Sequence, residues 1–218
     1  MKKKRILAIF LAVVMAMMVP LSASAFDGSK AIDYADEWAM SRNSSEFQTG
    51  GNWLLATFKD WFPGLTFIPD ADCTNFVSQC LDAGGLPQNS NWKYDGRSNS
   101  TASWYVADAL KDYLKYTYGA TQLVSKWTKY GQANGYAYKD NSSNLFGNGR
   151  EVVFYDWEDD GNIDHSSYCV GTGWSNDDTS KYGDLINQHT NDRKRVLFHL
   201  DERNPYRATT AIYAFDVG

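Results

Sequence analysis

Residues 72–87 read D-C-T-N-F-V-S-Q-C-L-D-A-G-G-L-P, and this stretch decides the fold. Phe76, Val77, Cys80 and Leu81 recur at helical spacing, and Gly84-Gly85 supplies the stop. The spacing predicts a helix from Cys73 to about Ala83, with Cys73 in its first turn and Asp72 directly before it. A helix start leaves backbone N–H groups unpaired and carries partial positive charge. Both favour a thiolate over a thiol, and the same N–H groups can hold an oxyanion. Cys73 is therefore a candidate nucleophile, and its backbone N–H a candidate oxyanion donor. The competing reading is a buried structural cysteine, the common fate of a lone Cys.

A second stretch downstream supplies the partner. V-V-F-Y-D-W-E-D-D-G-N-I-D-H-S, residues 152–166, reads as a strand from Glu151 to Trp157. The turn Asp159-Asp160-Gly161-Asn162 then leads to a second strand from Ser166 to Gly171. His165 stands at the mouth of that strand, where an imidazole can take the proton of a thiol. A surface turn histidine bonded to Asp164 is the bland alternative. Further strands are expected over Leu185–Thr190, Arg195–His199 and Thr209–Phe215. His189 ends the first of these and is the expected third member, fixing the tautomer of His165. Asn187, two residues earlier on the same face, is the alternative. His199 follows Phe198 in a strand and reads as structural.

Upstream, Ser29 to about Arg42 reads as a capped helix with the stripe Ile32, Ala35, Trp38 and Ala39. A short helix is expected over Trp53–Trp61, ended by Pro63-Gly64, and a longer one over Ala102–Tyr118. Helices come first and antiparallel strands follow, so the class is α+β. No internal repeat or linker divides the chain after residue 25, which predicts a single domain over 26–218.

These segments together carry a resemblance. The cysteine stretch with Trp92 and Ser103-Trp104, the V-V-F-Y-D-W-E-D-D-G-N-I-D-H-S stretch, the Ala31–Ala39 helix and N-Q-H-T-N-D at 187–192 are similar to the putative amidase domain family of secreted bacterial proteins. That family resembles the NlpC-type and CHAP-type cell-wall peptidases, which share a papain-like core. The resemblance implies a nucleophile at Cys73, a base at His165 and a polar orienter on the next strand, here His189. It also implies hydrolysis of an amide bond in peptidoglycan or its peptides, with no cofactor. The segment between Arg42 and Asp70 departs from the family's shorter Tyr- and Asn-rich stretch.

Composition agrees with a globular domain behind a secretion leader. The chain has 218 residues, including 8 Trp, 14 Tyr and 11 Phe, too many large apolar side chains for disorder. Lys2, Lys3, Lys4 and Arg5 precede the apolar run Ile6–Leu21, and Ala23-Ser24-Ala25 is a small-residue cleavage signature. Residues 1–25 thus read as a cleaved signal peptide, leaving no membrane span and a secreted or cell-wall location. The chain holds 21 basic and 26 acidic residues; removing the four basic leader residues leaves 17 against 26, a net of −9. Such a surface repels phosphate backbones, so no nucleic-acid partner is expected, only a peptide or peptidoglycan-like substrate. A catalytically silent glycan- or peptide-binding module is the alternative function.

Two smaller features need placing. Asp156, Glu158, Asp160, Asn162 and Asp164 alternate like part of a calcium loop, but Ser167 stands where its bidentate Glu belongs. An acidic hairpin turn is the better reading and a calcium site the weaker one. The absence of C-x-x-C and H-E-x-x-H pairs argues against zinc. Cys73 and Cys80 lie two helical turns apart, ~10.5 Å, too far for a disulfide. His165 and Cys169 share a strand face ~13 Å apart. Docking Cys73 on His165 then predicts that Cys80 and Cys169 pack together.

Overall fold

A computed structural model describes residues 25–43, 72–128, 132–133, 136–137, 146–200 and 203–218. The expected leader up to residue 24 and the expected helix over 53–61 lie outside them. The helices are α1 (Gly28–Trp38), α2 (Cys73–Ala83), α3 (Gly96–Asn99), α4 (Ala102–Tyr105) and α5 (Ala107–Asp112). A π-helical turn over Tyr113–Tyr118 extends α5. The strands are β1 (Thr121–Thr128), β2 (Gln132–Ala133), β3 (Tyr136–Ala137), β4 (Glu151–Asp156), β5 (His165–Trp174), β6 (Tyr182–Gln188), β7 (Arg193–Leu197) and β8 (Ala211–Asp216). The class is α+β, as the order of elements predicts.

Six strands form one antiparallel sheet in the order β1-β8-β4-β5-β6-β7. Strand periodicity sends alternate residues to its two faces. Val152, Phe154, Tyr168, Val170, Leu185 and Phe215 pack against the helices, with Phe76, Val77, Cys80 and Leu81 of α2 filling the same core. Val153, Tyr155, Cys169, Ile186, Ile212 and Ala214 turn the other way, onto Trp127, Phe146, Phe198 and Leu200. α2 is buried over its first nine residues, which seats its N-terminus beside the mouth of β5.

Two expectations are corrected, and one strand is added to those expected. The helix expected over 102–118 is broken at Val106, whose φ of −109° and ψ of 123° are extended, a conformation β-branched residues favour. The edge strand β1 has no counterpart among the expected strands. Cys80 and Cys169 do not pack together: all three cysteines are free thiols, and Cys80 lies in the helix-side core while Cys169 lies in the opposite one. His165 meets Cys73 at the first residue of β5, while Cys169, which shares its strand face, packs into the core on the side of the sheet away from α2.

Candidate active site

The geometry starts with Asp72, which occupies the N-cap position of α2 without a side-chain cap bond. Its carboxylate is buried and turned aside. Oδ1 accepts from Asn75 Nδ2 at 2.8 Å; Oδ2 accepts from His189 Nδ1 at 2.8 Å and pairs with Arg42 Nε at 3.1 Å. Arg42 also clamps Asp192 with two bonds of 2.8 Å. The negative charge next to Cys73 in sequence is thus matched by Arg42 rather than aimed at the sulfur. Asn75 in turn accepts from Trp104 Nε1 at 2.8 Å, which fixes the first turn of α2 to α4.

Burial by itself would push the Cys73 thiol up. The charge of His165 and its hydrogen bond oppose this, helped by the Ser166 backbone N–H and the Thr74 hydroxyl, and bring it down to about 7. Cys80 and Cys169 have no such partners and are pushed well above the ordinary thiol value by burial. One thiol of three is therefore poised for attack at neutral pH.

His165 is held from its far side by Gln188, with Nε2 and Oε1 3.1 Å apart. The Gln188 amide cannot be the other way round, because its Nε2 donates to Thr190 O at 3.3 Å and Asn191 O at 3.1 Å. Carbonyls only accept, so Oε1 faces the ring and His165 Nε2 must carry a proton. Nδ1 is the nitrogen left for the sulfur. Thr190 and Asn191 both have φ of 62°, the left-handed conformation a tight hairpin turn requires. That turn aims both carbonyls back at Gln188. Trp157 stacks on the His165 ring at 5.6 Å between centroids, and Tyr155 lies 5.4 Å away.

The structure brings Cys73 and His165 together, and gives the place beside the ring to Gln188 instead of His189 or Asn187. His189 Nδ1 donates to Asp72, Nε2 donates to Trp38 O at 2.8 Å, and the ring stacks on Phe76 at 4.1 Å. Both nitrogens face oxygen acceptors, so the ring ties α1 to α2 and has no nitrogen left for His165. Asn187 donates to Asp36 at 2.9 Å and accepts from Arg195 N at 2.7 Å. The cause is strand parity: Asn187 shares the helix-side face with Leu185, whereas Gln188 shares the opposite face with Ile186. β6 is buried on both sides over Gly183–Gln188, so no alternation in its sequence marks which residue faces which way. His199 is buried beside Phe198.

Three carboxylates of the acidic turn accept bonds from within it, while Asp159 pairs with Lys126. Asp156 accepts from the N–H of Asp160 at 3.0 Å and of Gly161 at 2.8 Å. Asp160 accepts from Asn162, and Asp164 from Trp157 N at 2.9 Å. Among the described residues no set of three His, Cys, Asp or Glu side chains is disposed to hold a metal ion, nor is any helix long and apolar enough to cross a membrane.

Comparison with known proteins adds three findings. The chain matches the family described as Putative amidase domain over residues 25–213. Two Bacillus subtilis (strain 168) proteins are similar. YhbB is 29% identical over 150 residues, 66% of this chain and 41% of YhbB; YjcM is 29% identical over 93 residues, 43% of this chain and 17% of YjcM. Both bear the description "uncharacterized protein", and the matched region spans less than half of either. No solved structure matches the chain.

Proposed function

Because the chain belongs to the Putative amidase domain family, we propose that it is a secreted, cysteine-dependent amidase or peptidase of papain-like, NlpC/CHAP-related type, acting on peptidoglycan or its peptides. The observation that carries this reading is the Cys73 thiol, brought down to about 7 at a helix N-terminus by His165. Neither cysteine elsewhere in the chain shares that environment.

The roles follow from the hydrogen bonds. Cys73 Sγ, as thiolate, attacks the amide carbonyl carbon, and the carbonyl π electrons move onto oxygen. The Cys73 N–H, unpaired within the helix, is the donor for that oxyanion. His165 Nδ1 gives its proton to the leaving nitrogen as the C–N bond breaks, leaving a thioester. Water then attacks the thioester, His165 takes its proton, and the C–S bond breaks to return the thiolate and release the acid. Gln188 holds the ring in the tautomer that keeps Nδ1 toward the sulfur throughout.

Digestion of purified peptidoglycan by the wild type and by Cys73→Ala, with products identified by mass, tests the reading. The wild type is expected to release fragments with a new amine and a new carboxyl group, and the variant none. Equal release by both, or release by neither, overturns it.

A further inference from the structure

The sulfur has another polar neighbour, which the roles above do not use. Thr74 Oγ1 lies 3.7 Å from Cys73 Sγ and 3.1 Å from Ser166 Oγ. Thr74 is 1% exposed and Ser166 fully buried, so water does not compete for either hydroxyl. The two come from different elements, the first turn of α2 and the start of β5, and meet just where Cys73 meets His165.

Counting protons gives the chain a direction. A thiolate can only accept, and Thr74 has one hydroxyl proton to give. Once that proton points at the sulfur, the Thr74 oxygen is free to accept the hydroxyl proton of Ser166. The relay Ser166 to Thr74 to Cys73 satisfies both hydroxyls, and charged acceptors bind such donors roughly twice as strongly as neutral ones. When the sulfur is a thiol or a thioester it accepts poorly, and this directional preference weakens.

Resting on the cysteine-hydrolase reading, we propose that Thr74 is a catalytic residue whose hydroxyl donates to the Cys73 thiolate, with Ser166 Oγ as the positioning group that aligns it. The pairing supplies a donor that carries no charge and gives up no proton during turnover. His165 cannot fill that role alone, since it surrenders its proton to the leaving amine. The same donor eases departure of the thiolate when the thioester is cleaved. The titratable groups nearby are His165 on β5 and the buried Asp72 and His189, which engage one another and, through Asp72, Arg42.

Thr74→Val keeps the shape and removes the hydroxyl; Thr74→Ser keeps the hydroxyl; Ser166→Ala removes only its aligner. In the intact protein, the titration of Cys73 is read from its alkylation rate against pH, with labelling located by peptide mass. Loss of a hydrogen bond to a charged group is expected to raise the Thr74→Val midpoint by about one unit. Labelling at about pH 6 then slows roughly three- to fourfold, because the more basic thiolate regains part of the loss in intrinsic nucleophilicity. Thr74→Ser should titrate with the wild type, and Ser166→Ala between the two. A Thr74→Val midpoint equal to that of the wild type, or a Thr74→Ser midpoint equal to that of Thr74→Val, overturns the proposal. If Thr74→Val fails to fold, Ser166→Ala decides: an unshifted midpoint is refuting. Failure of the underlying reading looks different, since the wild type itself would then titrate in the ordinary thiol range.

Discussion

Replacing His165 by alanine removes the charge and the hydrogen bond that oppose burial of the Cys73 sulfur. The wild-type thiol titrates at about 7, and without the imidazole it returns at least to its ordinary value of 9.0. At about pH 7 the thiolate fraction then falls from about one half to about one in a hundred, roughly fifty-fold. The more basic thiolate is also a better nucleophile: a Brønsted coefficient of about 0.4–0.5 over two units returns roughly six- to tenfold. Alkylation by iodoacetamide should therefore slow about five- to eightfold near neutrality. Above about pH 10 both proteins are thiolate, and the variant should be the faster by that same six- to tenfold. The two rate profiles cross. Wider access to the sulfur after truncation would scale the variant's rates by one factor at all pH and leave its midpoint in place. Stopped-time labelling at Cys73, followed by mass across the pH range, measures both midpoints. Superimposable midpoints, or a wild-type midpoint in the ordinary thiol range, would refute the assignment of His165 as the group that ionises Cys73.

Gln188→Ala leaves the His165 ring free to take the other tautomer. It should lower kcat by roughly ten- to a hundredfold with KM little changed, checked by steady-state kinetics on a peptide released from peptidoglycan. His189→Ala removes one donor to the buried Asp72 carboxylate and the link to Trp38. It should cost about 3 kcal/mol of stability by urea denaturation, with the Cys73 midpoint almost unmoved if Arg42 still matches Asp72. The depressed Cys73 pKa also sets a sign for stability. Its contribution is full above the unfolded-state thiol value and is lost as pH falls through about 7. The stability difference between the wild type and Cys73→Ser should thus grow by about 2 kcal/mol from about pH 7 to pH 9, measured by urea titration of both. Cys80 and Cys169 are common to both proteins and cancel in that difference.

What the sequence made legible and what it hid divide along one physical line. A helix announces its buried side through a period near four, so α2, its Gly84-Gly85 stop and the place of Cys73 in its first turn could be read directly. The β4–β5 hairpin was equally legible, because an Asp-Gly-Asn turn separates two β-branched and aromatic runs. His165 followed from it. Facing within the sheet was not legible. A strand buried on both faces has no alternation, and a shift of one residue exchanges every side chain between faces. That single ambiguity in β6 moved the orienting role from Gln188 to His189 and Asn187. The same ambiguity in β5 placed Cys169 beside Cys80. Chemistry misled in the same direction, since a histidine and an asparagine look like orienting groups and a glutamine next to them does not. Gln188 qualifies because the turn after β6 holds Thr190 and Asn191 at positive φ and presents two carbonyls to its amide nitrogen. A β-branched residue in that conformation is strained. Thr190 Oγ1 accepts from the backbone N–H of Asp72 at 2.9 Å, a long-range contact that helps to hold it there. The orientation of His165 therefore depends on the start of α2, where Cys73 lies. Replacing Thr190 by glycine would relieve the strain and still loosen His165.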